Sequence, residues 1–202
     1  MYLFGASGHG KVIADIALSN NIIVEAFIDH DVHKKECYGL PVLNTLPKDG
    51  NQVIISIGNN FIRKKLSIEF EGHTFAKLVH KNTIISPTVS IAPGTVIMGG
   101  VTINADSTIG KHSIINTNAS VDHECIIEDF VHISPNASLA GNVYIGEGSH
   151  VGIGAIVIQN VKIGKWCIIG AGAVILKNVP DYSVVVGNPG RIIKRHIIDK
   201  NI

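Results

Sequence analysis

Residues 103–125, INADSTIGKHSIINTNASVDHEC, decide the fold. Every sixth residue is aliphatic: Ile103, Ile109, Ile115, Val121. Four places after each stands a small residue: Ser107, Ser113, Ala119, Cys125. The pattern runs outward without insertion, back to Ile85 and on through Ile127, Ile133, Leu139, Ile145, Val151, Val157, Ile163 and Ile169 to Ile175. A period of six is neither that of a helix nor that of an ordinary strand. It marks short strands separated by turns, each turning one large and one small side chain inward. Three such strands close a triangular coil, and coils stack at ~4.8 Å to give a prism about 25 Å long. Just after the aliphatic stand Gly110, Gly146, Gly152, Gly164 and Gly170, and Asn104 and Asn116. These types tolerate left-handed turns, which are expected there.

The first 80 residues follow other rules. Tyr2-Leu3-Phe4 reads as a buried strand, Gly5-Ala6-Ser7-Gly8-His9-Gly10 as a loop, and Lys11 to Ser19 as a helix with apolar Val12, Ile13, Ile16 and Ala17. Ile22 to Ile28 is predicted as a second strand. Val53 to Ile57 is a third, followed by Gly58-Asn59-Asn60 and a helix from Phe61 to about Phe70. Strand, glycine loop, helix, strand is a small Rossmann-like unit. A glycine loop opening a helix offers N–H groups and a positive dipole end to phosphate. Asp29 stands where such units place a carboxylate for a ribose hydroxyl. The glycine spacing is not the dinucleotide fingerprint, and the unit is short for a complete dinucleotide sheet, so a mononucleotide or nucleotide-sugar is expected.

Composition narrows the partners. Lys plus Arg is 17 and Asp plus Glu is 16 in 202 residues, a balance that argues against nucleic acid as a partner. Mean hydropathy is +0.31, yet no apolar run approaches the ~18 residues of a membrane span, so no membrane insertion is expected. Met1 leads directly into the first strand without a basic leader, and a cytoplasmic protein is expected. Cys37, Cys125 and Cys167 are too scattered for a disulfide framework or a zinc knuckle.

The chemistry points to one histidine among 10. His123 lies between Asp122 and Glu124, two places after the inward Val121, and so near a coil corner outside the core. A carboxylate beside an imidazole orients the ring for general-base work. His132 and His150 are one coil apart and are predicted to stack on one face. A catalytic zinc needs three ligands, and no metal is expected. Cys125 and Cys167 occupy the small inward position and read as core filler. Arg63-Lys64-Lys65 reads as a solvated helix face, with a lean toward phosphate as the alternative.

Taken together, Gly5-Ala6-Ser7-Gly8-His9-Gly10, Ile57-Gly58-Asn59-Asn60-Phe61-Ile62-Arg63-Lys64-Lys65, Ser120-Val121-Asp122-His123-Glu124-Cys125 and Val186-Gly187-Asn188-Pro189 resemble the bacterial nucleotide-sugar acetyltransferases. These include the N-acetyltransferases acting on UDP-4-amino-4,6-dideoxy sugars, the sialic acid O-acetyltransferases and the GDP-perosamine N-acetyltransferases. The resemblance covers about residues 1 to 195. It implies an α/β domain over 1–80, Rossmann-like and binding the nucleotide-sugar. A β-solenoid domain follows over 81–202, a left-handed parallel β-helix with a C-terminal tail. It implies acetyl-CoA as donor, no metal, and a homotrimer with sites between neighbouring prisms.

By the same resemblance His123 is the general base and Glu124 raises its basicity. Ser7, Gly8, His9, Asp29, His30 and Gly58 match nucleotide-sugar contacts, and His132, Ile153 and Ala171 match acetyl-CoA contacts. Ala171 stands where a relative has Gly, and His30 replaces a second acidic residue. The expected activity is N-acetylation of the 4-amino group of a UDP-linked amino-deoxy sugar. Its alternatives are O-acetylation of sialic acid or another sugar, and a non-catalytic nucleotide-sugar-binding β-helix.

Overall fold

The computed structural model describes residues 1–195, and the expected C-terminal tail lies, from residue 196 on, outside the described residues. Two-residue strands recur every sixth position from β6 (Leu78–Val79) to β22 (Val174–Ile175). Residues one coil apart pair in parallel, Ile114 with His132 and His132 with His150. The strands form three faces. The first carries the strands at Ile84–Ile85, Thr102–Ile103, Ser120–Val121, Ser138–Leu139, Ile156–Val157 and Val174–Ile175, and the second those at Ser90–Ile91, Thr108–Ile109, Ile126–Ile127, Tyr144–Ile145 and Lys162–Ile163. The third runs from Leu78–Val79 through every third strand to Ile168–Ile169. It is closed by β23 (Ser183–Val186) and the antiparallel β24 (Arg191–Arg195). The result is a left-handed parallel β-helix, its coils those that the repeat of six led one to expect. Leu78–Val79 already pairs with Val96–Ile97, so the solenoid starts ahead of residue 81.

The inward aliphatics from Ile97 to Ile175 make one core with the small residues between them. Small polar residues survive there because each hydroxyl is used twice. The Ser113 hydroxyl donates to the Glu128 carbonyl at 2.9 Å and accepts from the Val131 N–H at 3.1 Å. Thr95 and Ser149 repeat the device one coil below and two above, so none of these hydroxyls is left unpaired.

The turns differ from expectation. The left-handed residue comes three places after the aliphatic, at Asp106, His112, Asn118, Glu124, Phe130 and Trp166 among others. The glycines just after the aliphatic have ordinary backbone angles and serve close approach instead. A Cβ at Gly110 would come within 2.5 Å of the Glu128 carbonyl carbon, and one at Gly152 within 2.6 Å of the Ile169 oxygen. Coil stacking, not turn conformation, demands them.

The N-terminal region is a five-stranded sheet in the order β3-β4-β2-β1-β5. Its strands are β1 (Tyr2–Phe4), β2 (Ala26–Ile28), β3 (Glu36–Cys37), β4 (Leu40–Leu43) and β5 (Val53–Ile55), with α1 (Gly8–Ser19) and α2 (Asn60–Glu69) between them. The second strand begins at Ala26 rather than Ile22. The preceding residues close α1 instead, the Ile22 N–H bonding to the Ala17 carbonyl with Asn21 left-handed.

This region sits on the third face of the prism. Outward along that face run Leu78, Val96, Ile114, His132, His150 and Ile168. The three aliphatics Leu78, Val96 and Ile114 share a buried cluster with Leu3, Ile13 and Ile16. Arg63 completes the docking, and here the sequence reading is corrected. Arg63 is not solvated but 1% exposed. Lys64 is half-exposed and pairs with Glu147 of the solenoid at 2.5 Å. Helical periodicity shows which residues share a face of α2, not that a second domain covers that face.

Candidate active site

The nucleotide-binding candidates lie together because of strand order. The glycine loop follows β1, Asp29 and His30 follow β2, and Gly58 follows β5. These three parallel strands are neighbours, so their carboxyl ends share one edge, where open α/β sheets bind ligands. Ser7 is the N-cap of α1 and its side chain makes no capping hydrogen bond. A Cβ added at Gly8 or Gly58 would meet nothing within 4 Å, so nothing in the packing requires glycine at either place. Gly10 is different: a Cβ there would stand 2.2 Å from the Gly5 carbonyl, so it lets α1 approach the loop.

Asp29 is already occupied. Its Oδ2 accepts from the Ala6 N–H at 3.0 Å and from Lys34 Nζ at 2.7 Å, and its Oδ1 from the Asp31 N–H at 3.0 Å. Burial works to raise its pKa, but these hydrogen bonds outweigh it and hold the carboxyl below its ordinary value. Asp29 therefore ties the glycine loop to the end of β2. His30 is exposed, its ring edge-on to Phe4 at 5.1 Å.

A cleft of about 590 Å³ separates the start of α2 from the third face. Its walls include Gly58, Phe61, His132, His150, Trp166 and Ile168. His9 reaches toward it from the first turn of α1, its ring 6.4 Å from that of His132. Two nucleotide-binding candidates, His9 and Gly58, thus meet an acetyl-CoA candidate, His132, across the domain boundary.

Burial, then the charge of Arg63, pushes His9 down to about 4. Burial, His150, Arg63 and His9 together push His132 to about 3. Both rings are neutral at physiological pH. The Asn116 Oδ1 accepts the Thr117 N–H at 2.8 Å, so its amide nitrogen faces His132 Nε2 at 3.0 Å. In a neutral ring Nε2 then accepts, and Nδ1 carries the proton.

Ile153 and Ala171 are exposed and lie one coil apart at the corner joining the third face to the first. They flank the strands that carry His150 and Ile168. His123 is elsewhere. It lies at the corner between β13 (Ser120–Val121) of the first face and β14 (Ile126–Ile127) of the second, the edge opposite the third face. One protomer does not bring His123 together with His132, Ile153, Ala171 or the nucleotide loop.

At its corner His123 is well built. Its Nδ1 lies 3.0 Å from Glu124 Oε2, with both side chains more than half exposed. Glu124 is left-handed, φ 59°, which turns its side chain back alongside the ring. Asp122 does different work: its Oδ1 accepts the His123 N–H at 2.8 Å and the Asn104 amide at 2.7 Å, capping the turn. Gly141, one coil on, makes room for the imidazole, since a Cβ there would stand 2.5 Å from Cε1 and Nε2. Glu124 takes Nδ1, so Nε2 is the atom left for proton transfer.

Sequence reading missed Phe61, Trp166 and His150 as cleft walls. Phe61 meets Trp166 edge-on, ring centroids 6.1 Å apart. A signal existed for His150: the outward row of the third face is aliphatic except at His132 and His150. Trp166 carried none. No group of three metal-ligating side chains lies together among the described residues, and no helix there is long and apolar enough to cross a membrane.

Known proteins can now be set beside this geometry. The family model of the PglD N-terminal domain matches residues 1–70, and that of the bacterial transferase hexapeptide (six repeats) matches residues 142–177. The GDP-perosamine N-acetyltransferase of Escherichia coli is 32% identical over 147 residues, 66% of each chain. A match of 31% identity to a protein of Acanthamoeba polyphaga mimivirus spans 57% of this chain and 24% of that one.

Crystal structures are matched nearly end to end. A variant of perosamine N-acetyltransferase from Caulobacter crescentus, in complex with CoA and GDP-perosamine, superposes with a TM-score of 0.92 at 35% identity, covering 96% of both chains. The acetyltransferase domain of PglB from Neisseria gonorrhoeae, also solved with acetyl coenzyme A, gives 0.89 at 35% identity, covering 95% of this chain and 98% of that one.

Proposed function

Because the chain belongs to the hexapeptide-repeat family of bacterial nucleotide-sugar acetyltransferases, we propose that it moves the acetyl group of acetyl-CoA onto the 4-amino group of a nucleotide-linked amino-deoxy sugar. The observation that carries the mechanism is the His123–Glu124 pair, with Nδ1 engaged at 3.0 Å and Gly141 clearing space beside Nε2. The sugar amine attacks the thioester carbonyl while His123 Nε2 takes its proton. The tetrahedral intermediate collapses with cleavage of the C–S bond, and the same imidazole returns the proton to the departing thiolate. The products are the N-acetylated nucleotide-sugar and CoA. Glu124 orients the ring and stabilises the imidazolium formed in the transition state.

The acceptor's nucleotide rests on Ser7, Gly8, His9 and Gly58, at the edge kept open by the two glycines. Asp29 and His30 border it, with Asp29 acting through the loop it holds. The acetyl-CoA arm runs along the corner of Ile153 and Ala171 toward the neutral His132, whose Nδ1 is buried and whose Nε2 is held by Asn116, so the developing oxyanion is left to backbone N–H groups. His123 lies on the opposite edge, so the site is completed by a neighbouring prism in a homotrimer. Holding both substrates in that cleft supplies the proximity term. The resemblance pointed to a UDP sugar, and two of the relatives above act on or bind GDP-perosamine, so the nucleotide is a nucleoside diphosphate of either base.

The test is thiol release from acetyl-CoA with UDP-linked and GDP-linked 4-amino sugars, beside free hydroxy sugars such as sialic acid. Turnover with a nucleotide amino sugar supports the proposal. Turnover with the free hydroxy sugar alone would replace it by O-acetylation, and nucleotide-sugar binding without turnover would replace it by a binding role.

A further inference from the structure

Among fully buried side chains Arg63 is the largest. It has no carboxylate partner among the described residues, and burial lowers its pKa only to about 9, so it stays charged at neutral pH. Its partners are five carbonyls and one amide. Nη1 donates to the Ile57 and Gly58 carbonyls at 2.9 and 3.2 Å. Nε donates to the His112 carbonyl at 2.6 Å, and Nη2 to those of Phe130 and Val131 at 3.0 and 3.5 Å. Nη2 also donates to Asn60 Oδ1 at 2.8 Å. The first two carbonyls belong to the loop after β5. The other three belong to successive coils of the solenoid.

Burying a permanent charge without a counter-ion is costly, and attachment alone could be supplied by an apolar side chain such as Val96 or Ile114. An apolar group cannot fix where a carbonyl points. A planar guanidinium can, because its fork holds several oxygens at set angles. Asn60 adds a second brace one coil further, its Nδ2 donating to the carbonyls of Gly148 and Ser149 at 3.0 and 3.2 Å. The corner positions 112, 130 and 148 are all left-handed, which brings the backbone there within reach of α2.

We infer that Arg63 is a positioning residue: it clamps the Gly58 loop to the solenoid at a fixed distance from His132, and so sets where an acceptor held by that loop meets the acyl group. This rests on the reading of Gly58 and the glycine loop as the nucleotide site. Burial is the main cause that lowers the pKa of His9, His112, His132 and His150, and the charge of Arg63 adds to it.

The experiment compares wild type with Arg63→Met, Arg63→Lys and Asn60→Ala, measuring KM for acetyl-CoA and for the nucleotide amino sugar separately. Freeing the loop in Arg63→Met should raise the nucleotide-sugar KM about tenfold and cut kcat/KM about 10²-fold, the scale set by small misplacements of reacting groups. The acetyl-CoA KM should stay within about twofold, since its contacts are on the solenoid. Arg63→Lys keeps the charge without the fork and should fall between. Both KM values unchanged, with kcat lowered only in proportion to folded protein, would show a merely structural role and overturn the inference. If neither Arg63 variant folds, Asn60→Ala decides by the same split. Wild type without turnover on any nucleotide amino sugar would remove the acceptor reading and this inference with it. Wild-type turnover without a split in the variants overturns the clamp alone.

Discussion

His132 and His150 stack ring on ring, with centroids 4.7 Å apart and planes 6° from parallel, because they occupy paired positions on successive coils. Two imidazolium rings in that arrangement would repel. Ser134 reaches His150 Nε2 at 2.7 Å, and Asn116 reaches His132 Nε2 at 3.0 Å, so each ring is held by a neutral partner. The stack is built for uncharged histidine, which gives the protein a stability that depends on pH.

His132 titrates near 3 and His112 near 4 in the fold, against ~6.5 in the unfolded chain. Both folded values lie below the unfolded one, so in that window the unfolded chain binds more protons. Stability is complete above pH ~6.5 and is lost as pH falls toward 4, by about 2 kcal/mol for each of these two rings at pH 5. Thermal melts should therefore show a lower Tm at pH 5 than at pH 7.5, and His112→Gln should flatten the dependence. A wild-type Tm equal at the two pH values would mean that these rings are not buried neutral.

His123→Ala should lower kcat by about 10²–10⁴-fold, the usual share of a general base. Folding and acetyl-CoA binding should survive, because the side chain lies outside the core. Glu124→Gln keeps the shape but not the charge, and should cost about ten- to a hundredfold, in line with losses of partners that orient a histidine. Near-normal turnover in His123→Ala would remove it from the mechanism and leave His132 as the next candidate.

Gly8 and Gly58 border open space, so a large residue at Gly8 should fill the acceptor site without disturbing the packing. Gly8→Trp is expected to raise the nucleotide-sugar KM about tenfold or more while the acetyl-CoA KM and Tm stay near wild type. Asp29→Ala should also weaken the acceptor, but at a cost in stability of about 1–3 kcal/mol, since it strips the Ala6 N–H and Lys34 of their partner. An equal fall in acetyl-CoA affinity in Gly8→Trp would exchange the roles assigned to the two domains.

The placement of His123 opposite the third face makes assembly testable by mixing. Sedimentation should give a trimer. Subunits carrying His123→Ala, inactive as base, and subunits carrying Gly8→Trp, inactive as acceptor site, should regain activity when unfolded together and refolded into mixed trimers. Each mixed interface of the right hand then pairs an intact base with an intact acceptor site. Activity in a monomer, or no recovery on mixing, would contradict a site shared between subunits.

The sequence alone determined the solenoid and what lies within one coil or between adjacent coils. A strict period of six leaves one way to bury Ile85 through Ile175, and three strands per coil put every residue beside its eighteenth neighbour. The stacking of His132 on His150 follows from counting, and the Glu124 contact with His123 from adjacency at a corner. Even there the turns misled. A glycine that permits a left-handed angle and one that permits close stacking read alike in a sequence, and only the coordinates separate Gly110 from Gly148.

The tertiary structure alone decided what happens between the domains. Arg63 sits in a run of charges that reads as a wet helix face, and it became the largest fully buried side chain because α2 docks on a solenoid some fifty to seventy residues away in the chain. His9 meets His132, and Phe61 meets Trp166, for the same reason. Local periodicity reports which side chains share a surface. Which surface then covers another depends on matching shapes, carbonyl directions and buried charge across the whole chain, and no spacing rule carries that information.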